Sequence, residues 1–179
     1  MTIEIALGDT RHRIAVMGVS GCGKSTLGAM LATTIGGVFI EGDDHHLPAS
    51  KGKMRNGIAL DDADREPWLD RLAALTTAPD TSVVLSCSAL TAAYRARLRS
   101  RIPGLRFVYL EIEMAHALKR VSDRVGHVFP AGLVASQFDI LESPVGENRV
   151  LRLLGCDRKE RNLASVIRWL DGTMDAIGT

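Results

Sequence analysis

The chain has 179 residues, 46% hydrophobic and 24% charged, and 22 basic against 21 acidic residues leave a net charge of +1. That length fits one domain, residues 1–179, able to bury roughly 70% of the surface its unfolded form exposes without a metal or disulfide staple. Near-neutrality argues against a nucleic-acid binder driven by phosphate neutralisation, and no apolar run is long enough to span a bilayer.

The N-terminal residues show no basic segment leading into a continuous apolar run, so no signal peptide is expected. The first apolar run, Ile14 to Met17, precedes a helical pattern after Lys24, with Leu27, Met30, Leu31 and Ile35 on one face. A second run, Val38 to Ile40, leads into a polar stretch from Asp43 to Leu60 that contains glycine and proline. After Asp64, Trp68, Leu69, Leu72 and Leu75 share a helical face. The run Val83 to Cys87 is followed by the stripe Leu90, Tyr94 and Leu98, and Phe107 to Ile112 by Ala117, Leu118, Val121 and Val125. A second irregular stretch, Val125 to Pro144, holds two glycines and two prolines. Val150 to Leu154 is the last run, and Val166, Ile167, Leu170 and Met174 the last stripe. Short β-branched runs without clean alternation suit strands buried on both faces. Their alternation with helices predicts an α/β fold, a five-stranded parallel sheet flanked by helices. The two irregular stretches are expected at the sheet's carboxyl edge, where such folds bind ligands. Cys22, Cys87 and Cys156 form no C-x-x-C pair, which points to free thiols in the cytoplasm.

Gly18-Val19-Ser20-Gly21-Cys22-Gly23-Lys24-Ser25 matches G-x-x-x-x-G-K-[ST] at every position, between a strand and a helix as its mechanism requires. Glycines let successive N–H groups turn toward one anion beside the positive end of the helix dipole. Lys24 is then placed for the β- and γ-phosphates of ATP, Ser25 for Mg²⁺ and Thr26 for the α-phosphate. No guanine-reading N-K-x-D segment occurs. Asp123-Arg-Val-Gly126 matches the D-x-x-G of a switch loop, but within a helical pattern. A small-molecule or nucleotide kinase fits these features best. In such a kinase Asp43, just past a strand end, is placed to accept the proton of the attacking hydroxyl, and Glu41 to hold Mg²⁺ through water. Ser88, at the end of the third run, is placed to orient substrate or a Mg²⁺ water. Arg120 and Arg124, four apart, share a helix face. The alternative for Asp61, Asp62 and Asp64, a calcium loop, lacks the central glycine and distant glutamate; a helix start with Pro67 accounts for them better.

Phe39-Ile-Glu-Gly-Asp43-Asp-His-His46, Lys53-Met54 and Leu60-Asp61-Asp62-Ala-Asp64-Arg65-Glu-Pro67-Trp68-Leu69 together resemble the gluconate kinases. So do Cys87-Ser88-Ala89-Leu90 with Tyr94-Arg95, Arg124-Val-Gly-His127, Ser136-Gln137-Phe138 and Leu141-Glu142-Ser-Pro144. The chain departs from the family pattern at Leu47, Ser50 and Val128, where the family usually has Pro, Asn and Phe. Beyond Val145, where the adenine-facing loop is expected, the likeness fades. The resemblance implies a P-loop kinase fold and ATP-dependent conversion of gluconate to 6-phosphogluconate, by a homodimer with no nucleic-acid or membrane partner. It implies that Arg65 and Arg95, supported by Lys53, hold the gluconate carboxylate, with His46, His127 and Gln137 on other parts of the substrate. It also implies a lid over about residues 120–137, through which Arg120 and Arg124 neutralise the transferring group. A shikimate-type kinase and a nucleotide-binding sensor without turnover are the alternatives.

Overall fold

The computed structural model describes residues 11–123 and 131–173. Five strands, β1 (Arg13–Met17), β2 (Val38–Glu41), β3 (Val83–Ser86), β4 (Arg106–Glu111) and β5 (Val150–Leu154), form one parallel sheet in the order β2-β3-β1-β4-β5. Every pairing is parallel, with Ile14 of β1 level with Val84 of β3 and Arg106 of β4. Each strand coincides with a predicted apolar run to within a residue. The central strands lack polar alternation because both faces are covered. Ile14 and Val16 face a core with Leu27, Leu31, Val134 and Val166, while Ala15 and Met17 face Leu69, Leu72 and Leu98.

The helices among the described residues are α1 (Lys24–Thr34), α2 (Pro48–Arg55), α3 (Asp62–Thr77), α4 (Ala92–Arg101), α5 (Met114–Ser122), α6 (Ala131–Ile140) and α7 (Lys159–Leu170). Five answer the predicted stripes. Leu90, assigned to the third stripe, lies ahead of α4 in a loop; the helix is capped by Thr91, whose hydroxyl accepts from Tyr94 N at 3.2 Å. Val125 and Met174 lie outside the described residues.

The two irregular stretches contain more helix than their composition suggests. The first holds a short 3-10 turn, Gly42–His45, and then α2, with Pro48 in its first turn. Proline suits that position because the N–H it lacks would find no partner inside the helix. A proline one residue beyond the family's position therefore serves as a helix start, and Leu47 becomes the residue before it. Ser50, 2% exposed, is buried on the inner side of α2. The second stretch holds α6, which rests on the buried side chains of Leu133 and Val134.

Candidate active site

The phosphate loop joins β1 to α1. Gly18 and Gly21 adopt φ of +138° and +85°, and a Cβ at either would stand 2.7 Å from a backbone carbonyl, Leu110 O or Ala117 O. Neither position admits a side chain without moving β4 or α5. Gly18 N donates to Ser88 O at 3.3 Å, which ties the loop to the end of β3. Lys24 Nζ donates to Val19 O at 3.0 Å, so the ammonium sits over the loop's own concavity. Cys22 is buried among these residues, and burial pushes its thiol up from the ordinary value.

Two elements distant in sequence close on the loop. Arg120 Nη1, on α5, donates to Gly155 O at 2.9 Å and to Gly21 O at 3.3 Å. Gln137 Oε1, on α6, accepts from Ser20 N at 2.6 Å. Arg120 is thus held against the phosphate loop, while Gln137 meets the loop itself as well as the cleft beside it. Arg124 and His127 lie outside the described residues.

Beside the loop opens a cleft, to which Ser20 and Lys24 contribute from the phosphate side. Asp43 enters from the 3-10 turn, Ser88 from beyond β3, and Arg65 from the first turns of α3. Met54 and Leu60 supply apolar wall, a role that the sequence reading did not assign them. The turn's cap residue is Glu41, without a side-chain cap bond, so Asp43 is no helix cap and its carboxylate is exposed. Glu41 ends β2 level with Ser86 and stands outside the cleft lining.

His46 is buried and lies flat on Trp68, ring centroids 4.1 Å apart and planes inclined by 13°. Burial lowers its pKa below the ordinary value, which favours the neutral imidazole at pH 7. It is therefore no solvated loop histidine.

Arg65 is held by Tyr94: Nη1 donates to the phenol oxygen at 3.1 Å, and the guanidinium lies 5.5 Å from the ring centroid. The phenol in turn donates to Asp62. Asp61 and Asp64 form a reciprocal capping box at the start of α3: Asp64 N donates to Asp61 Oδ1 at 2.9 Å, and Asp61 N to Asp64 Oδ2 at 3.1 Å. Helix capping therefore accounts for these aspartates, with Pro67 a turn further inside.

Two expected substrate contacts belong elsewhere. Lys53 Nζ sits 2.7 and 2.9 Å from the two oxygens of Asp64 and outside the cleft lining. It fastens α2 to the capping box, and this hydrogen bond raises the lysine pKa and lowers that of Asp64. Arg95 is fully buried. Its Nη1 donates to Ala89 O at 3.1 Å and Leu90 O at 3.0 Å, and its Nε to Glu147 Oε1 at 2.9 Å. It is neither a substrate ligand nor a surface ion pair, because its donors are already occupied beneath the Cys87–Leu90 loop.

Glu147 also accepts from Arg99, and although its own burial pushes its carboxyl up, the two arginines hold it below the ordinary value of 4.5. Glu147→Ala would leave the Arg95 guanidinium buried without a counter-charge, at a cost of about 3 kcal/mol. Urea unfolding should show that loss at pH 7, with turnover of the folded enzyme unchanged. The carboxylate's contribution is complete above pH 4.5 and is lost as pH falls through the depressed folded value. The wild-type advantage over Glu147→Ala should therefore shrink in acid.

No set of three or more His, Cys, Asp and Glu side chains arranged to cage a metal occurs among the described residues. The Ser25 hydroxyl at the start of α1 and the Asp43 carboxylate in the cleft are oxygen donors suited to Mg²⁺, which keeps most of its waters and phosphate ligands, and Glu41 at the end of β2 adds a carboxylate outside the cleft lining.

A phosphate cradle on one side and an acceptor cleft on the other leave a small-molecule kinase of the P-loop class as what this fold and site define. Residues 20–129 match the profile of the family described as "Shikimate kinase". The gluconokinase of Gluconobacter oxydans is 39% identical over 92% of this chain and 94% of its own, and the thermosensitive gluconokinase of Escherichia coli is 38% identical over 75% and 73%. The solved structure of a gluconokinase from Sinorhizobium meliloti superposes with a TM-score of 0.82 at 38% identity, covering 92% of this chain and 97% of that one. The shikimate kinase of Aquifex aeolicus, at 18% identity and a TM-score of 0.57, shares the fold alone. The chain belongs to the gluconokinase family.

Proposed function

We propose that the chain transfers the γ-phosphoryl group of ATP to a hydroxyl of D-gluconate, giving 6-phosphogluconate and ADP. One observation carries the reading: the same cleft holds Lys24, Asp43 and Arg65, a phosphate ligand, a proton acceptor and a carboxylate ligand. Transfer of this kind asks the protein mainly for alignment and charge neutralisation. Lys24 and the loop N–H groups hold the phosphates. Arg65, fixed by Tyr94, turns the acceptor so that its far hydroxyl meets Asp43. His46 and Ser88 border the polyol, and Gln137 links α6 to the loop. Mg²⁺, which Ser25 would hold directly and Glu41 through water, supplies charge neutralisation on the phosphate oxygens when bound. Arg120 adds positive charge beside Gly21.

Among the described residues no helix is long and apolar enough to cross a membrane. The free thiols of Cys22, Cys87 and Cys156 support a reducing compartment, the cytoplasm. Assembly as a homodimer, implied by the family resemblance, is read from the mass in solution.

ADP release measured over gluconate, related sugar acids, shikimate and nucleoside monophosphates tests the activity. Turnover with gluconate and none with shikimate is expected; turnover with neither would leave a nucleotide-binding sensor. Arg65→Lys tests the carboxylate contact. A planar guanidinium grips a carboxylate through two bonds, where an ammonium offers a point charge. Losing that geometry should raise the KM for gluconate roughly 10- to 150-fold, with the KM for ATP little changed. Equal rises in both would make Arg65 a structural residue.

A further inference from the structure

Trp68, in the first turns of α3, is 2% exposed, and as one of four residues in an apolar stripe it reads in the sequence as core. Its polar and stacking contacts lead instead to the turn that carries Asp43. The indole Nε1–H donates to Gly42 O at 2.8 Å. Its ring lies flat against His46, centroids 4.1 Å apart. Gly42 and His46 flank Asp43 on either side, so one side chain holds both ends of the turn. Gly42 is in turn pressed against β3, where a Cβ would meet Ser86 O at 2.3 Å. The turn is therefore fixed between the indole and the end of a strand.

The Asp43 carboxylate makes no hydrogen bond to another described residue; the His46 Nε2 atom facing it is 3.9 Å from Oδ1. Its carboxylate is aimed by the backbone beneath it and by the imidazole alongside. We infer that Trp68, whose side chain also borders the cleft, is a positioning residue for Asp43, acting through the Gly42 carbonyl and the His46 ring. The inference rests on the reading of Asp43 as the group that meets the acceptor hydroxyl. An ångström of drift in that carboxylate lowers the frequency of productive alignment without weakening ground-state binding.

The test is a double-mutant cycle on the intact enzyme, with kcat and both KM values measured for Trp68→Phe, Asp43→Asn and the double variant. Phenylalanine keeps an aromatic face for His46 and removes the N–H donor. The same cycle with β-(3-benzothienyl)alanine at position 68, which replaces the N–H by sulfur within an isosteric ring, serves if the phenylalanine variant fails to fold. With wild-type Asp43, the change should lower kcat about 10- to 100-fold while both KM values stay within about two-fold. With Asp43→Asn it should lower kcat by less than about two-fold further, since residues acting as a unit are not additive. An unchanged kcat, the same factor in both backgrounds, or a parallel rise in both KM values overturns the inference while leaving Asp43 as the proton acceptor. Full turnover by Asp43→Asn alone overturns the reading of Asp43, and the inference with it.

Discussion

Lys24→Ala should abolish phosphoryl transfer. The Lys24 ammonium, 3.0 Å from Val19 O, lies over the loop whose N–H groups face the phosphates, and its side chain is no part of the core. Charge developing on the transferring group has a fixed positive partner there, already oriented and partly screened from water. Removing one such preorganised donor costs a factor of 100 to 1,000 in typical sites, and a cation on a transferring phosphoryl group costs more, so a loss of roughly 1,000-fold or greater is expected. Ground-state affinity for ATP should weaken too, because the same ammonium contacts the phosphates before reaction. The fold should be unaffected, since α1 is seated by Leu27, Leu31 and Ala32. ADP release gives the rate, and circular dichroism reports the fold. Turnover at the wild-type rate would remove the phosphate loop from the mechanism.

The strands were legible because burial on both faces leaves a continuous apolar run, a signal that depends on few neighbours. The phosphate loop was legible for a similar reason: its chemistry lies in eight contiguous residues with fixed backbone demands. The side chains facing it were harder. Arg95 and Arg65 look alike as arginines near substrate-facing motifs, yet one meets a carboxylate 52 residues away and the other a phenol 29 residues away. Which partner a long cation finds depends on the packing of whole helices, and no local pattern encodes that. Lys53 was misplaced in the same way, drawn to Asp64 across the gap between α2 and α3. The helix α6 was obscured by the glycine and prolines around it, because helices of ten residues draw most of their stability from the face they bury. Its Leu133 and Val134 have that face only once the sheet is assembled. Trp68 shows the reverse error, since an apolar stripe describes where its ring is buried and says nothing of its N–H.

Asp43→Asn should keep the fold and the affinity for ATP while losing turnover. The side chain is exposed and caps no helix, so the amide breaks no bond to another described residue. Asparagine matches the carboxylate in shape and still offers an oxygen to the acceptor hydroxyl, so gluconate should bind with little change in KM. What it lacks is the ability to accept the proton released as the new oxygen–phosphorus bond forms. A positioned general base contributes typically 100- to 10,000-fold, so kcat should fall by about two orders of magnitude or more. Direct titration with ATP separates binding from chemistry, and parallel assay of ADP and 6-phosphogluconate shows whether the residual turnover is transfer or hydrolysis. The two products should remain stoichiometric, because the substitution leaves Lys24 and the loop that closes around the phosphates untouched. Wild-type production of 6-phosphogluconate would refute the assignment, and a large loss of ATP affinity would move Asp43 from the acceptor to the metal and nucleotide.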